Sequence, residues 1–313
     1  MKFACVFPGQ GSQSVGMMAE FIDQYSEVKD LFKRASDALG YDLANIVANG
    51  PIESLNKTEC TQPALLTAGV AAWKVMRINT DQKPDLLAGH SLGEYTALVC
   101  AGAMQFEDAV KLVAERGRLM QSAVPEGIGA MAAILGLEDD VVRSVCEQAT
   151  QNDSIVQAVN FNSPGQVVVA GHSAAVDRAM ELAKEAKAKR ALKLPVSVPS
   201  HSSLMIGAAD QLAERLAAIE IKAPIIPVLH NVDAAVHTDP VEIADCLKKQ
   251  LFNPVLWVDT VNNMIAKGVT ATVECGPGKV LAGLNKRINK ETEHYTIDNV
   301  ENLNKFLTAL KGE

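Results

Sequence analysis

The chain has 313 residues, 48% hydrophobic and 21% charged, a globular composition that excludes a disordered, collagen-like or coiled-coil protein. At roughly 150 residues per domain, this length suits two domains or one large α/β body carrying an insertion. Lys and Arg total 29 against 37 Asp and Glu, a net charge of −8, which argues against general binding of nucleic acid or anionic membranes and leaves room only for a local basic patch.

Short apolar runs ending in Gly, Pro or Asn alternate with longer segments of helical period, the signature of an α/β fold with a mainly parallel sheet. The runs predict strands over 3–7, 86–89, 226–229, 270–274 and 294–297. Helices are expected to start near Gln13, Gln62, Leu92, Glu107, Ser203, Asp239 and Lys279. Between about Gly127 and Val196 the order changes to strand 130–135, helix 138–149, strand 155–159, a turn at Asn162-Ser163-Pro164-Gly165, strand 166–170, helix 173–188 and strand 191–196. That βαββαβ order is the ferredoxin-like split unit, which closes its own small core. The expected architecture is therefore a parallel-sheet α/β body built from 1–126 and 197–313, with a ferredoxin-like subdomain inserted over 127–196.

The six cysteines (Cys5, Cys60, Cys100, Cys146, Cys246 and Cys275) are far apart, with no C-x-x-C pair. They suggest neither a disulfide framework nor a zinc site, and a reducing cytoplasm fits best. The apolar stretch in MKFACVFPGQG is too short for a signal segment, and no apolar run is long enough to span a bilayer, so the chain is expected to be neither exported nor membrane-embedded.

Chemistry concentrates first at Ser91. The segment LLAGHSLGE is an apolar strand running into G-x-S-x-G and then a helix, the pattern of a nucleophile elbow. Small residues two positions either side of the serine let a sharp strand-to-helix turn form and push Oγ into the open. The same turn puts the Leu92 amide at a helix N-terminus, where it can stabilise an oxyanion. Gly171-His172-Ser173-Ala174-Ala175 also joins a strand to a helix, but Ala175 replaces the second glycine, so Ser173 is read as a helix cap and His172 has no catalytic role.

A serine needs a base. His90 adjoins Ser91 but points to the opposite face, so it is read as a supporting residue on the substrate side. His201, on a rigid loop after two prolines in PVSVPSH, is the leading base, with His230 next. In the helix from Phe106, Arg116 falls within the apolar stripe of Ala109, Leu112, Val113, Met120 and Ala123, whereas Arg118 faces solvent. An inward guanidinium needs either a buried carboxylate or an anionic ligand held by its fork of donors. The PGQGSQ loop lacks the Gly-Lys-Ser/Thr ending and the third glycine of phosphate-binding loops. It is either a flexible turn or a close backbone approach that offers the Gln10 amide as a second oxyanion donor.

Together these segments resemble the malonyl-CoA:acyl carrier protein transacylase family of bacterial type II fatty acid synthesis. The resemblance rests on FPGQGSQ, GHSLGEYTAL, RGRLMQ at Arg116, NFNSPGQ, VPSH ending in His201, QLFNPVLW from Gln250 and ECGPGKVL, and covers nearly the whole chain. It implies an α/β-hydrolase-like body with a ferredoxin-like insert. By resemblance Ser91 is the acylated nucleophile, His201 its base, Arg116 the clamp on the malonyl carboxylate, and the amides of Gln10 and Leu92 the oxyanion hole. A main-chain carbonyl at Gln250 would orient the histidine where hydrolases use an Asp. The implied reaction is ping-pong: malonyl-CoA loads Ser91, CoA leaves, and the phosphopantetheine thiol of acyl carrier protein takes the malonyl group, with no bound cofactor or metal, no nucleic acid and no membrane. A serine hydrolase or thioesterase, and a non-catalytic carrier-binding scaffold, are the rival readings. Since carriers of this pathway are acidic, two basic clusters are docking candidates: Lys184, Lys187, Lys189 and Arg190 on the insert, and Lys279, Lys286, Arg287 and Lys290 on the helix after Gly278. The second, centred on Lys286 and Arg287, is favoured because it lies near the C-terminal sheet edge.

Overall fold

The computed structural model describes residues 1–125, 127–196 and 198–312. Its larger sheet has five strands in the order β7-β2-β1-β8-β9, with β1 Phe3–Phe7, β2 Leu86–Gly89, β7 Val228–Leu229, β8 Ala271–Cys275 and β9 Glu293–Ile297. Every pairing is parallel. The sequence FACVF in β1 is buried at each position, as the centre of a sheet covered on both faces requires. Phe7 pairs with Gly89, so β1 and β2 end side by side. The loops that follow them meet at the carboxyl edge, where α/β sheets gather their ligands.

The second sheet is antiparallel, in the order β4-β5-β3-β6, with β3 Gly129–Leu135, β4 Val156–Ser163, β5 Gln166–His172 and β6 Arg190–Lys193. Helices Asp139–Ala149 and Ser173–Glu185 cover one face of it. Val142, Val145, Val176 and Ala179 pack there against Ile134, Val167 and Val169 in a core of their own. Each such Val or Ile side chain, once buried, contributes on the order of 1.5–3 kcal/mol. This is the ferredoxin-like arrangement of an insert on an α/β-hydrolase-like body. The expected subdomain limits at Glu126 and Ser197, and Glu313, lie outside the described residues. Strand β4 ties the insert down: the Phe161 N–H donates to the Val255 carbonyl at 3.0 Å, and the Val255 N–H to the Val159 carbonyl at 2.8 Å.

Several expected elements differ. The helix expected from Gln13 begins at Ala19, because Gly16 (φ 81°) and Met18 (φ 65°) turn the chain and the Gln13 side chain folds back to accept from the Gly11 N–H. The helix expected from Gln62 spans Thr58–Asn79 with Pro63 inside it. At Ser203 a single 3₁₀ turn, Ser203–Met205, leads into helix Ile206–Leu216. Strand 226–229 shrinks to two residues, since Pro227 has no N–H for the ladder, although its carbonyl still accepts from Leu87 N–H at 2.9 Å. Strand β4 runs on through Asn162 and Ser163, which confines the turn to Pro164-Gly165. Strand β6 stops at Lys193, short of Pro195. Ser173 is not a cap: His172 holds that position without a side-chain bond to the helix end, and Ser173 Oγ accepts from Lys193 Nζ at 3.1 Å.

Among the described residues no helix is long and apolar enough to cross a membrane. All six cysteines are buried and unpaired.

Candidate active site

The chain turns at Ser91 with φ 52° and ψ −107° between β2 and helix Leu92–Cys100, a conformation that costs a non-glycine residue about 1–3 kcal/mol. Sterics force the glycines around it. A Cβ on Gly89 would lie 1.9 Å from the Gly93 carbonyl carbon, and one on Gly93 would lie 2.0 Å from the Phe7 oxygen. The strained turn is held from the next strand over: the Ser91 N–H donates to Asn231 Oδ1 at 2.7 Å, and Asn231 Nδ2 donates to the Gly89 carbonyl at 2.7 Å.

His201 reaches this serine from the loop after the insert. It is 3% exposed and takes φ 64°. Its Nδ1 lies 2.6 Å from the Gln250 main-chain carbonyl and its Nε2 lies 2.8 Å from Ser91 Oγ. A carbonyl only accepts, so Nδ1 carries the proton and Nε2 is left to accept from the hydroxyl. Burial, then the Arg116 charge and His90, push the His201 pKa down to about 3 against the opposing Gln250 carbonyl. The imidazole is therefore neutral at physiological pH and able to take a proton. His230, the other candidate base, is excluded by position: it is fully buried, with Nδ1 2.7 Å from Glu94 Oε1.

Arg116 is 1% exposed, inside helix Phe106–Ser122. Its Nη1 donates to Gln62 Oε1 at 2.8 Å, and its Nη2 to Gln250 Oε1 at 2.8 Å and Ser91 Oγ at 3.2 Å; the Tyr95 ring centroid lies 5.2 Å from Cζ. Among the described residues no carboxylate pairs with it, so the buried ion pair left open by the sequence is absent there. Burial lowers its pKa, opposed by Tyr95 and Glu94, but a guanidinium stays charged. Beside Ser91 this leaves a dry cation able to bind an anionic group. Arg118 is exposed and pairs with Glu115.

A cavity of about 260 Å³ is lined by Gln10, His90, Ser91, Leu92, Arg116 and His201, among others. Leu92 opens its helix, so its N–H has no intrahelical acceptor. The Gly9-Gln10 loop presses on the elbow closely enough that a Cβ on Gly9 would lie 2.6 Å from the His90 oxygen. His90 Nε2 lies 2.8 Å from Asn162 Oδ1 of the insert, and its ring centroid 5.6 Å from that of Trp257. A larger hollow of about 630 Å³ lies along Gln148, Gln151, Asp177 and Arg178 and holds no nucleophile. Asp233, His237 and Cys246 place possible metal-ligand atoms within 4.8 Å of one another, but outside the cavity around Ser91. His237 already pairs there with Asp233 and Glu242, which accounts for the cluster without an ion.

Lys286 and Arg287 lie elsewhere, exposed on helix Val280–Ile288, where Arg287 Nη1 donates to Gln166 Oε1 at 2.6 Å. Sequence reasoning missed Asn231, Gln62, Asn162 and Glu94. The one local signal was Glu94 itself, a carboxylate in a helix whose other residues are almost all apolar.

Comparison with known proteins adds a family to this geometry. The acyl transferase domain family matches residues 4–304. A malonyl CoA-acyl carrier protein transacylase of Haemophilus influenzae is 56% identical over 304 residues, 97% of this chain and 97% of that protein. The crystal structure of an acyl carrier protein S-malonyltransferase from Vibrio cholerae superposes with a TM-score of 0.96 at 56% identity, covering 98% of this chain and 100% of the other. A type II PKS acyl-carrier protein in complex with its malonyl-transacylase gives a TM-score of 0.97 at 50% identity, with 100% of both chains covered.

Proposed function

Because the chain belongs to the acyl transferase domain family, we propose that it moves the malonyl group of malonyl-CoA to the phosphopantetheine thiol of acyl carrier protein, through a malonyl-serine at Ser91. The observation that carries this reading is one juxtaposition: a serine bonded to a neutral histidine and, 3.2 Å away, a buried guanidinium with no carboxylate partner among the described residues.

Ser91 Oγ attacks the thioester carbonyl as His201 Nε2 takes its proton. The Leu92 and Gln10 amides face the oxygen that becomes an oxyanion. Arg116 binds the free malonyl carboxylate, and His90 lines the same cavity. Collapse expels CoA, which recovers the proton from His201. In the second half-reaction His201 deprotonates the carrier thiol, the sulfur attacks the ester, and the proton returns to Ser91. The Gln250 carbonyl holds the tautomer throughout and stabilises the transient imidazolium. A carbonyl does this without placing a second full charge in the site.

Malonyl-CoA is thus a substrate, with no resident cofactor in this scheme. A hydrolase would share the elbow but has no use for the Arg116 clamp. The unpaired cysteines fit a cytoplasmic enzyme. We assign the insert to 127–196 and the body to 1–126 and 197–313. For the carrier we favour the Lys286 and Arg287 face. Lys279, Lys286, Arg287 and Lys290 have no acidic partner among the described residues; on the insert Lys187, Lys189 and Arg190 likewise have none, and Lys184 pairs with Glu181.

Labelled malonyl-CoA should acylate a single peptide containing Ser91, and the label should leave for a carrier thiol. Discharge to water at an equal rate with or without the thiol would favour the hydrolase.

A further inference from the structure

Glu94 is 0% exposed, one helical turn behind the nucleophile, and the mechanism above does not use it. Each of its polar neighbours donates. Oε1 faces His230 Nδ1 at 2.7 Å, and Oε2 accepts from the Asn231 N–H at 3.0 Å and Gln250 Nε2 at 2.8 Å. The last contact decides more than packing. A primary amide has a donating end and an accepting end, and Gln250 uses both. Nε2 donates to Glu94 and, at 2.9 Å, to the Ser91 carbonyl, while Oε1 accepts from Arg116 Nη2 at 2.8 Å. Guanidinium only donates and carboxylate only accepts, so the two ions fix the amide's orientation from opposite sides.

From this we infer that Glu94 is a positioning residue for acyl-group selection: through the Gln250 amide it holds Arg116 in place without neutralising it. A direct Glu94–Arg116 pair would occupy the fork that a substrate carboxylate needs. One neutral amide between the two charges lets the carboxylate offset the burial of the guanidinium while the face toward Ser91 stays open to an anion. Without the carboxylate that offset is lost, and where Gln250 also loses its acceptor at position 94 only the Ser91 carbonyl and Arg116 itself keep Oε1 in place. If the amide turns over, an NH₂ group faces the guanidinium, and the position of the clamp suffers. The effect should therefore fall on substrates that carry a carboxylate. The inference rests on the proposed malonyl clamp.

Glu94→Gln separates charge from shape. A glutamine at 94 can still accept from Asn231 and Gln250, and its NH₂ can meet His230 in the other tautomer, so the bonds there can be remade and what is lost is the negative charge that offsets the burial of Arg116. The measurement is the ratio of Ser91 acylation rates with malonyl-CoA and acetyl-CoA, a ratio that does not depend on the fraction of molecules folded. The malonyl preference should fall by about tenfold or more. Glu94→Asp, which keeps the charge but shortens the reach, should lower it less. In an Arg116→Ala background, Glu94→Gln should leave the ratio where Arg116→Ala alone put it, because the effect passes through Arg116. An unchanged ratio in Glu94→Gln, or a fall that simply adds to that of Arg116→Ala, would overturn the inference. If Arg116→Ala alone leaves the ratio untouched, the clamp itself is wrong, which is a separate failure.

Discussion

The tripeptide Gly-His-Ser occurs twice, at 89–91 and 171–173, each time at the end of a strand and the start of a helix, and the two copies take different shapes. At the first, Ser91 is thrown to φ 52°; at the second, His172 stays extended at φ −64° and Ser173 enters its helix in regular fashion. Two residues further on, Gly93 lies so near β1 that a Cβ would approach the Phe7 oxygen to 2.0 Å, whereas Ala175 buries its methyl in the insert's core. The strained turn at Ser91 is therefore made by a neighbouring strand pressing on the helix start, with Asn231 holding it. The tripeptide alone does not produce it.

The largest expected effect separates the two serines. Ser91→Ala should abolish malonyl transfer, by at least about 10⁴-fold, while Ser173→Ala, which loses one exposed contact to Lys193, should leave the rate near that of the parent. Next come the residues that distinguish the turns. Gly93→Ala must move β1 or the elbow, and a displacement near 1 Å costs about a hundredfold in rate. Ala175→Gly should instead cost stability, about 1 kcal/mol or somewhat more, read as a lower urea midpoint with kinetics unchanged. Equal kinetic losses in both would dissolve the distinction.

The third effect is one of pH. With its pKa pushed down from 6.5 to about 3, His201 stays neutral in the native state where an exposed histidine would charge. Acylation should therefore hold level from pH 8 to pH 5, and a midpoint near 6.5 would contradict this. Stability has the opposite sense. Between pH 6.5 and 3 the unfolded chain binds a proton at His201 that the native chain does not, so this residue lowers stability as pH falls, by up to about 1.4 kcal/mol per unit. Smallest is the contrast between body and insert as carrier-binding faces. Lys286→Glu with Arg287→Glu should raise the Michaelis constant for the carrier severalfold and flatten its salt dependence while sparing acylation. The same reversal at Lys184 and Lys187 should do less.

What could be read from the sequence divides along the same line. β1, β2 and the elbow were legible because a buried parallel strand is a bare apolar run and the G-x-S-x-G spacing states its own steric need. The inward Arg116 was legible from helical period. The helix expected at Gln13 failed because Gly16 and Met18 turn the chain with positive φ. Helices Ser26–Leu39 and Val300–Lys311 were not marked at all, having no motif to draw attention to them. The supports of the site were illegible for a different reason. Asn231 meets Ser91 across 140 positions and Gln250 meets Glu94 across 156, so no local pattern could pair them. The part Gln250 plays came only from resemblance.

The buried cysteines have a practical use. Desolvation raises the thiols of Cys5 and Cys100 well above their ordinary value and those of Cys146 and Cys246 to about 12, and only the thiolate reacts. With all six thiols buried, an alkylating reagent should ignore the folded protein and modify only molecules that have opened. Mixed with an acyl donor, the same sample carries two clocks: ester formation at one serine counts native sites, and alkylated cysteine on the protein, read apart from the released CoA thiol, counts departures from the native state. A variant that is slow because it is misassembled can then be told in one tube from one that is slow because its chemistry is impaired.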